Sequence, residues 1–222
     1  MRLIQPEKEK LRNIQNRIAK KVILEDKFSK PIRTIAGFDL AFLDDDAFVA
    51  GVVLDYKNLE TIEIKIIKTH LDFPYTPTFL SFREGPPIIN LYKKLKTRPD
   101  VLIINGHGIS HPLFCGIASH IGVLLDKTTI GVAQNRLCGN YKEPKKIGDF
   151  SKIYYKNRIV GYVYKSKESC RPIFISPGHK ISLKSVLNTV KNCIKTNKLP
   201  LPLSIAHSQV NKSKNILQHI EK

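Results

Sequence analysis

Three strand-like segments in a row, followed by alternating helical and strand-like segments, constrain the fold of this chain more than any other feature. The three segments span residues 34–38, 48–56 and 61–69, and the first leads into Asp39. They are rich in Val, Ile and Phe, as strands are. Short polar connections at 44–46 and 57–59 join them. This pattern predicts an antiparallel meander, with Asp39 at the end of its first strand.

The rest of the chain predicts an α/β arrangement. Segments 101–104 and 129–133 are almost wholly apolar, which is typical of central strands buried on both faces. We therefore predict one α/β domain over residues 1–222, a mixed sheet flanked by helices, with ligands bound beyond the carboxyl ends of its parallel strands. Further strands are predicted at 158–165 and 172–175, and helices at 5–24, 87–96, 112–125, 182–195 and 202–220.

The charge of the chain is strongly positive and unevenly distributed. The net charge is +18, from 37 basic and 19 acidic residues. Residues 1–30 carry +5 and residues 140–222 carry +13, whereas residues 31–139 are neutral overall. Such an excess favours a polyanionic partner, most simply nucleic acid. A solvated basic surface is the alternative interpretation.

Composition excludes several other classes of protein. No apolar stretch reaches the length of a transmembrane helix, and residues 1–30 lack the apolar core of a secretory signal. The four cysteines lie more than 20 residues apart, so neither a zinc finger nor a disulfide framework is predicted. We expect a cytoplasmic monomer with no membrane partner.

Two polar residues are predicted at the ends of central strands. Asp39 follows the first strand and Asn105 follows 101–104, so both side chains can face one point in space. Oxygen ligands at such a point suit Mg²⁺, although a turn aspartate is the simpler interpretation of Asp39 alone. Glu84, before Gly85, and His179, after a strand, are further candidates. The alternative interpretation of Glu84 is a partner of the helix dipole, and that of His179 is a helix-start residue with no chemical role.

The loop at residues 73–77 has the sequence FPYTP. Pro74 and Pro77 restrict the backbone on either side of Tyr75, and a rigid apolar side chain of this kind can enter a base stack. An aromatic residue folded onto its own domain is an equally good interpretation of the pattern.

Longer motifs give the chain a resemblance to the endonuclease V family. They are PYTPTFLSFREGP at 74–86, GHGISHP at 106–112, GIASH at 116–120, TIGVA at 129–133 and SPGH at 176–179. Residues 203–211 resemble the family's C-terminal stretch around an Ala-His pair. The resemblance covers roughly residues 8–215, and the motifs follow the family's order.

The resemblance implies an RNase H-like fold and a Mg²⁺-dependent nuclease, with Mn²⁺ as a possible substitute. Its substrate is DNA or RNA that contains inosine, and it cuts the second phosphodiester bond on the 3′ side of the lesion. The resemblance implies that the lesion base is flipped into a pocket. Carried over position by position, the catalytic residues are Asp39, Glu84, Asn105, Gln134 and His179, of which Asp39, Glu84 and Asn105 hold the metal. The nucleic-acid-binding residues are Pro74, Tyr75, Pro77, Arg83, Gly106, His107, Gly108, His111 and Arg136.

Two of these positions depart from the family's pattern. The family has aspartate at the position of Asn105 and lysine at the position of Gln134. A third, milder difference is Leu113, at a position where the family usually has arginine. An amide binds Mg²⁺ less well than a carboxylate, and loss of a lysine removes a charge that stabilises developing negative charge on phosphate.

Several explanations of these departures are open. The protein can cut slowly with Arg136 in place of the lysine, because residues two apart in a strand face the same side. It can instead bind the lesion without cutting it. Asn105 can also be an introduced change that suppresses cleavage, or can convert to aspartate by deamidation, since Gly106 follows it.

Overall fold

The computed structural model describes residues 4–220, except for the side chain of Ile220. The described strands are β1 (Thr34–Leu43), β2 (Asp46–Asp55), β3 (Thr61–His70), β4 (Val101–Asn105), β5 (Thr128–Ala133), β6 (Phe150–Tyr155), β7 (Arg158–Tyr164) and β8 (Ile173–His179). The described helices are α1 (Gln5–Ala19), α2 (Leu80–Lys94), α3 (Ile117–Leu125), α4 (Leu183–Asn192) and α5 (Leu201–Ile220).

The strands form one mixed sheet in the order β3-β2-β1-β4-β5-β8-β7-β6. The meander β1-β2-β3 is antiparallel, and β1, β4 and β5 run parallel to one another. Strands β8, β7 and β6 then complete the sheet in antiparallel pairs. The predicted meander, the buried parallel strands and the α/β class are therefore confirmed.

The sequence predicted Asp39 at the end of its strand, but in the structure Asp39 lies in the middle of β1. Phe38 is in register with Ile104, so Asp39 is level with Asn105 at the end of β4. Beyond that level β1 continues to Leu43, paired with β2 alone. We call the level at which β4 and β5 end the carboxyl edge.

Other element boundaries also differ from the prediction. Helix α2 begins at Leu80 instead of residue 87, so Pro86 and Pro87 lie about two turns inside it. Proline usually marks the first turn of a helix, and that rule misplaced the start. Strand β6 was missed, because it is an edge strand whose side chains are mostly exposed or half-buried.

The sheet buries a separate apolar core on each face. Helices α4 and α5 cover one face and contact residues such as Ile35, Ile103 and Val132. Helices α2 and α3 cover the other face. No helix within residues 4–220 has the length and apolar character that a membrane span requires.

A glycine in β1 determines how closely α5 approaches the sheet. A Cβ atom on Gly37 would lie 2.3 Å from the backbone carbon of Pro202 and 2.5 Å from the nitrogen of Leu203. The helix backbone therefore rests directly on the strand, two residues before Asp39. This contact positions the following turns of α5 beside Asp39.

We expect Gly37→Ala to destabilise the protein by about 2 kcal/mol or more, because overpacking against backbone atoms forces the helix away from the strand. Denaturant unfolding measures this loss. Gly85→Ala is the matched control: its Cβ atom meets nothing nearer than 4.0 Å, and alanine in a helix should stabilise by roughly 0.5–1 kcal/mol. Equal stability of Gly37→Ala and the unmodified protein would contradict the proposed close packing.

Candidate active site at the carboxyl edge

Asp39 is the centre of a hydrogen-bonded cluster at the carboxyl edge. It is only 3% exposed. The Asn105 amide donates from Nδ2 to Asp39 Oδ1 at 2.7 Å. A buried carboxylate requires donors to offset its lost hydration. The hydrogen bond from Asn105, the last residue of β4, supplies one such donor to Asp39 on β1.

A histidine that sequence analysis did not assign completes the cluster. His207 of α5 lies with Nδ1 2.7 Å from Asp39 Oδ2. The side-chain amide of Asn211, one turn further on, lies 3.2 Å from His207 Nε2 and also donates to the His207 carbonyl at 2.8 Å. The signal was present in the sequence as two polar residues four apart on a helix, beside the buried Leu203 and Val210.

Glu84 approaches the cluster from the opposite face of the sheet. It lies on α2, near the helix start. Burial, followed by the negative charge of Asp39, raises the pKa of the Glu84 carboxyl to about 8, against a smaller lowering by Arg83. A desolvated carboxyl close to another carboxylate has this signature. The structure therefore places the Asn105 amide against Asp39 and the Glu84 carboxyl within electrostatic range of Asp39.

The donors in this cluster suit a hard cation. Within residues 4–220, no group of three or more His, Cys, Asp or Glu residues is arranged to hold a metal ion, so Asp39, Glu84 and His207 do not by themselves form such a group. Two carboxyl groups and an amide oxygen are nevertheless hard oxygen donors, and Mg²⁺ commonly binds through one or two carboxylates while it retains water. A cation here would also favour ionisation of Glu84. The residues present therefore fit Mg²⁺.

The turn after β4 packs closely against β5 and β8. The Gly106 nitrogen donates to the Val132 carbonyl at 2.9 Å, so the atom that would attack the Asn105 side chain during deamidation is held in the sheet. Gly108 donates to the Ser176 hydroxyl at 2.8 Å, and a Cβ atom on it would lie 2.0 Å from the Pro177 carbonyl oxygen. The SPGH motif thus supports the GHG turn.

The structure does not bring His179 to the carboxyl edge. It is level with Thr129 at the start of β5, about 10 Å along the strand from the level of Asn105 at roughly 3.3 Å per residue. The nitrogen of Ile23 donates to its Nδ1 at 3.2 Å, and its Nε2 lies 3.7 Å from Asp126. Because β8 runs antiparallel to β5, its last residue returns to the opposite edge, which corrects the predicted position beside a scissile phosphate.

Gln134 lies at the carboxyl edge, but the side chain of Arg136 does not lie beside it. Strand β5 ends at Ala133, and the chain bends at Gln134. The alternation of an extended strand therefore does not apply. The Arg136 guanidinium donates to the Gly139 carbonyl at 3.3 Å, whereas Lys198 donates from Nζ to Gln134 Oε1 at 3.0 Å.

The FPYTP loop projects Tyr75 into solvent while its ends are held. Tyr75 is 70% exposed. The carbonyl of Thr78 accepts hydrogen bonds from Gln15 Nε2 at 2.7 Å and from His111 Nε2 at 3.0 Å. At the other end Arg83 donates to the Phe73 carbonyl, which shows a structural use for this predicted nucleic-acid-binding residue. The loop is therefore a fixed projection with one free aromatic ring.

A cavity of about 170 Å³ opens beside this loop. Burial lowers the pKa of both His107 and His111 to about 4, so these histidines are neutral at pH 7. Apolar and neutral walls of this kind can accept a flat base. The lining comprises Tyr75, Thr76, Pro77, Thr78, Leu80, Ser81, His107, His111, Gly116, Ile117 and Leu137.

Comparison with known proteins identifies relatives over most of the chain. The sequence profile of the Endonuclease V family matches residues 16–208. The endonuclease V of Dictyoglomus turgidum is 45% identical over 195 residues, covering 87% of this chain and 85% of that protein. That of Dictyoglomus thermophilum is 43% identical, covering 91% and 89% of the two chains.

Comparison of the fold with solved structures also finds endonuclease V proteins. The endonuclease V of Bacillus subtilis superimposes with a TM-score of 0.90 at 28% identity, covering 99% of this chain and 95% of that one. A Ciona intestinalis endonuclease V in complex with a 24mer DNA containing an inosine followed by a ribo-adenosine gives 0.85 at 26% identity, covering 96% and 100%. The predicted RNase H-like architecture is confirmed, and the chain belongs to the endonuclease V family of nucleases.

Proposed function

We propose that this protein is a Mg²⁺-dependent endonuclease that acts on DNA or RNA strands containing inosine. It would cut the second phosphodiester bond on the 3′ side of the lesion and leave the base in place. The observation that carries this proposal is the buried Asp39 carboxylate at the carboxyl edge, held by Asn105 and His207, with the Glu84 carboxyl within electrostatic range. The nearby cavity and the exposed Tyr75 provide the means to hold and separate a strand.

The catalytic chemistry follows from the donors at the edge. Asp39, Glu84 and the Asn105 amide oxygen would hold Mg²⁺, which supplies Lewis acidity toward a phosphate and activates water. The Asn105 amide and His207 keep both oxygens of Asp39 in fixed orientations. Asn211 in turn orients the imidazole of His207. These bonds preorganise the carboxylate, so little reorganisation is needed when a substrate binds.

Recognition of the lesion would use the loop and the cavity together. Tyr75 would enter the stack beside the inosine, and its flanking prolines limit the conformational entropy that insertion costs. The flipped base would enter the cavity, where neutral His107 and His111 do not repel it. The basic segments 1–30 and 140–222 would hold the phosphate backbone.

A lesion-binding protein that does not cut is the second candidate. It is favoured by one observation: the amide of Asn105 lies where a third carboxylate would complete the donor set, and it is already hydrogen-bonded to Asp39. Lower affinity for Mg²⁺ follows from the weaker ligand. Recognition of the base would be unaffected, because the cavity and Tyr75 do not depend on Asn105.

A nicking assay distinguishes the two candidates. Labelled duplexes and single strands, with or without one inosine, are incubated with the protein in Mg²⁺ or Mn²⁺. We expect slow cleavage of the inosine strand alone, at the second phosphodiester bond 3′ to the lesion. Asp39→Ala should reduce the rate about a hundredfold or more, because loss of a metal ligand removes several kcal/mol of transition-state stabilisation.

Other outcomes of that assay are equally informative. Selective binding of the inosine strand without cleavage would support the second candidate. Equal, salt-sensitive binding to all strands would contradict both, leaving only general attraction to polyanions. Cleavage that persists in Asp39→Ala would place the catalytic centre elsewhere.

Asn105→Asp should make thermal stability depend more strongly on Mg²⁺. Without metal, a second carboxylate would replace the donor to Asp39 and lower the melting temperature. Mg²⁺ should restore it, because ligand binding to the folded state stabilises that state. Melting curves in EDTA and in Mg²⁺ measure the difference, with Asn192→Asp, remote from the cluster at Tyr56, as the matched control. An equal Mg²⁺ shift in both variants would contradict a metal site at Asn105.

Tyr75→Ala should reduce selectivity for inosine about tenfold, with a smaller loss of affinity for unmodified DNA. The reason is that stacking of one aromatic ring against a base contributes roughly 1–3 kcal/mol. Competition binding with the two duplexes measures both quantities. Tyr154→Ala is the control, since Tyr154 is also exposed but lies on the edge strand β6. Equal losses for both duplexes would contradict the role of Tyr75 in base separation.

A further inference from the structure

Lys198 places a positive charge next to Gln134 at the carboxyl edge, on the segment between α4 and α5. Its Nζ donates to Gln134 Oε1 at 3.0 Å. Lys198 lies between α4 and α5, three residues before α5 begins. The inference below rests on the proposed function, because it concerns the phosphate that this site would bind.

Gln134 lies at the same edge of the sheet as Asp39 and Asn105. Lys198 meets it from the segment before Leu199, which packs in the core beneath α4 and α5. Val132 is in register with Asn105, so Gln134 follows two residues beyond that level. Val132 packs in the core beneath α4 and α5, the face from which His207 reaches Asp39. Only β4 lies between β1 and β5, and neighbouring strands lie about 4.8 Å apart, so β1 and β5 are separated laterally by roughly 10 Å.

The backbone of Lys198 is anchored, and its charge is not neutralised. The hydroxyl of Ser166 donates to the Lys198 carbonyl at 2.6 Å, and the adjacent Leu199 is buried. No carboxylate of residues 4–220 lies within ion-pair distance of its Nζ. A lysine has three donors, and the bond to Gln134 uses one. Lys198 is half-buried as a residue, and two donors of its ammonium group therefore remain for an anion.

We propose that Lys198 contacts a non-bridging oxygen of the phosphate that lies at the carboxyl edge, and that Gln134 positions its ammonium group there. Position 134 itself carries a neutral amide, so the cation comes from a different segment of the chain. Gln134 serves as the acceptor that holds it. A fixed ammonium group beside a phosphate stabilises negative charge as it develops there.

Four variants test this assignment. Lys198→Met removes the charge at similar length, and Lys195→Met removes a charge from an exposed residue of the same segment. Gln134→Ala removes the acceptor alone. Gln134→Lys combined with Lys198→Met returns a charge to the edge from position 134. Melting temperatures of all four verify that each protein is folded.

Single-turnover cleavage of the inosine strand is the first measurement. We expect Lys198→Met to lower the single-turnover rate at saturating protein 10–100-fold, which is the order of effect for loss of one donor to a developing charge. Lys195→Met should change the rate less than twofold, and Gln134→Ala should have an intermediate effect. The double variant should recover most of the lost rate, which a purely structural bond between Lys198 and Gln134 would not explain.

Binding provides a measurement that does not depend on cleavage. Inosine strands are prepared with a neutral methylphosphonate at one phosphate at a time on the 3′ side of the lesion. At one position, the substitution should weaken binding by the unmodified protein and by Lys195→Met, but not by Lys198→Met. Lys198→Met should also reduce the slope of log affinity against log salt by about one.

The outcomes separate this inference from the proposed function. If the unmodified protein does not cut, the proposed nuclease activity fails, and the methylphosphonate series still decides whether Lys198 contacts a phosphate. Equal sensitivity of Lys198→Met and the unmodified protein at every position would overturn the inference. Cleavage by Lys198→Met at the unmodified rate would overturn its role in stabilising the reacting phosphate.

Discussion

The arrangement of the site depends on one buried carboxylate. Asp39 is almost inaccessible to solvent, and its oxygens accept hydrogen bonds from Asn105 on the adjacent strand and from His207 on α5. A charge taken out of water is costly unless donors surround it. The two hydrogen bonds to Asp39 therefore connect β1 to β4 and to α5. On the other side of the sheet, burial and then the negative charge of Asp39 raise the pKa of the Glu84 carboxyl.

This arrangement is possible because the sheet carries helices on both faces. On one face α5 rests directly on Gly37, which leaves His207 level with Asp39. On the other face α2, which begins just after the Tyr75 loop, carries Glu84 within electrostatic range of Asp39. Side chains from both helical layers thus approach the carboxyl edge. Open α/β sheets commonly bind ligands at such a position.

Local patterns predicted much of this structure, and their failures have physical causes. The apolar segments of β4 and β5 were recognisable because central strands need no alternation. The start of α2 was misplaced because Pro86 and Pro87, which usually begin a helix, lie inside it here. His179 was misassigned because its motif lies at the end of a strand, and only the antiparallel direction of β8 shows that this end faces the opposite edge. The expected partnership of Arg136 with position 134 assumed a strand that in fact ends at Ala133.

The sequence by itself determined the α/β class, the family and the placement of Asp39 and Asn105 side by side, because these follow from contiguous motifs and from the order of the apolar strands. The tertiary structure alone decided that His207 supports Asp39 and that Lys198 meets Gln134. Both contacts join residues more than 60 positions apart in the chain. Periodicity and spacing report on neighbours along the chain, whereas the packing of helices on a sheet determines which distant side chains share an environment.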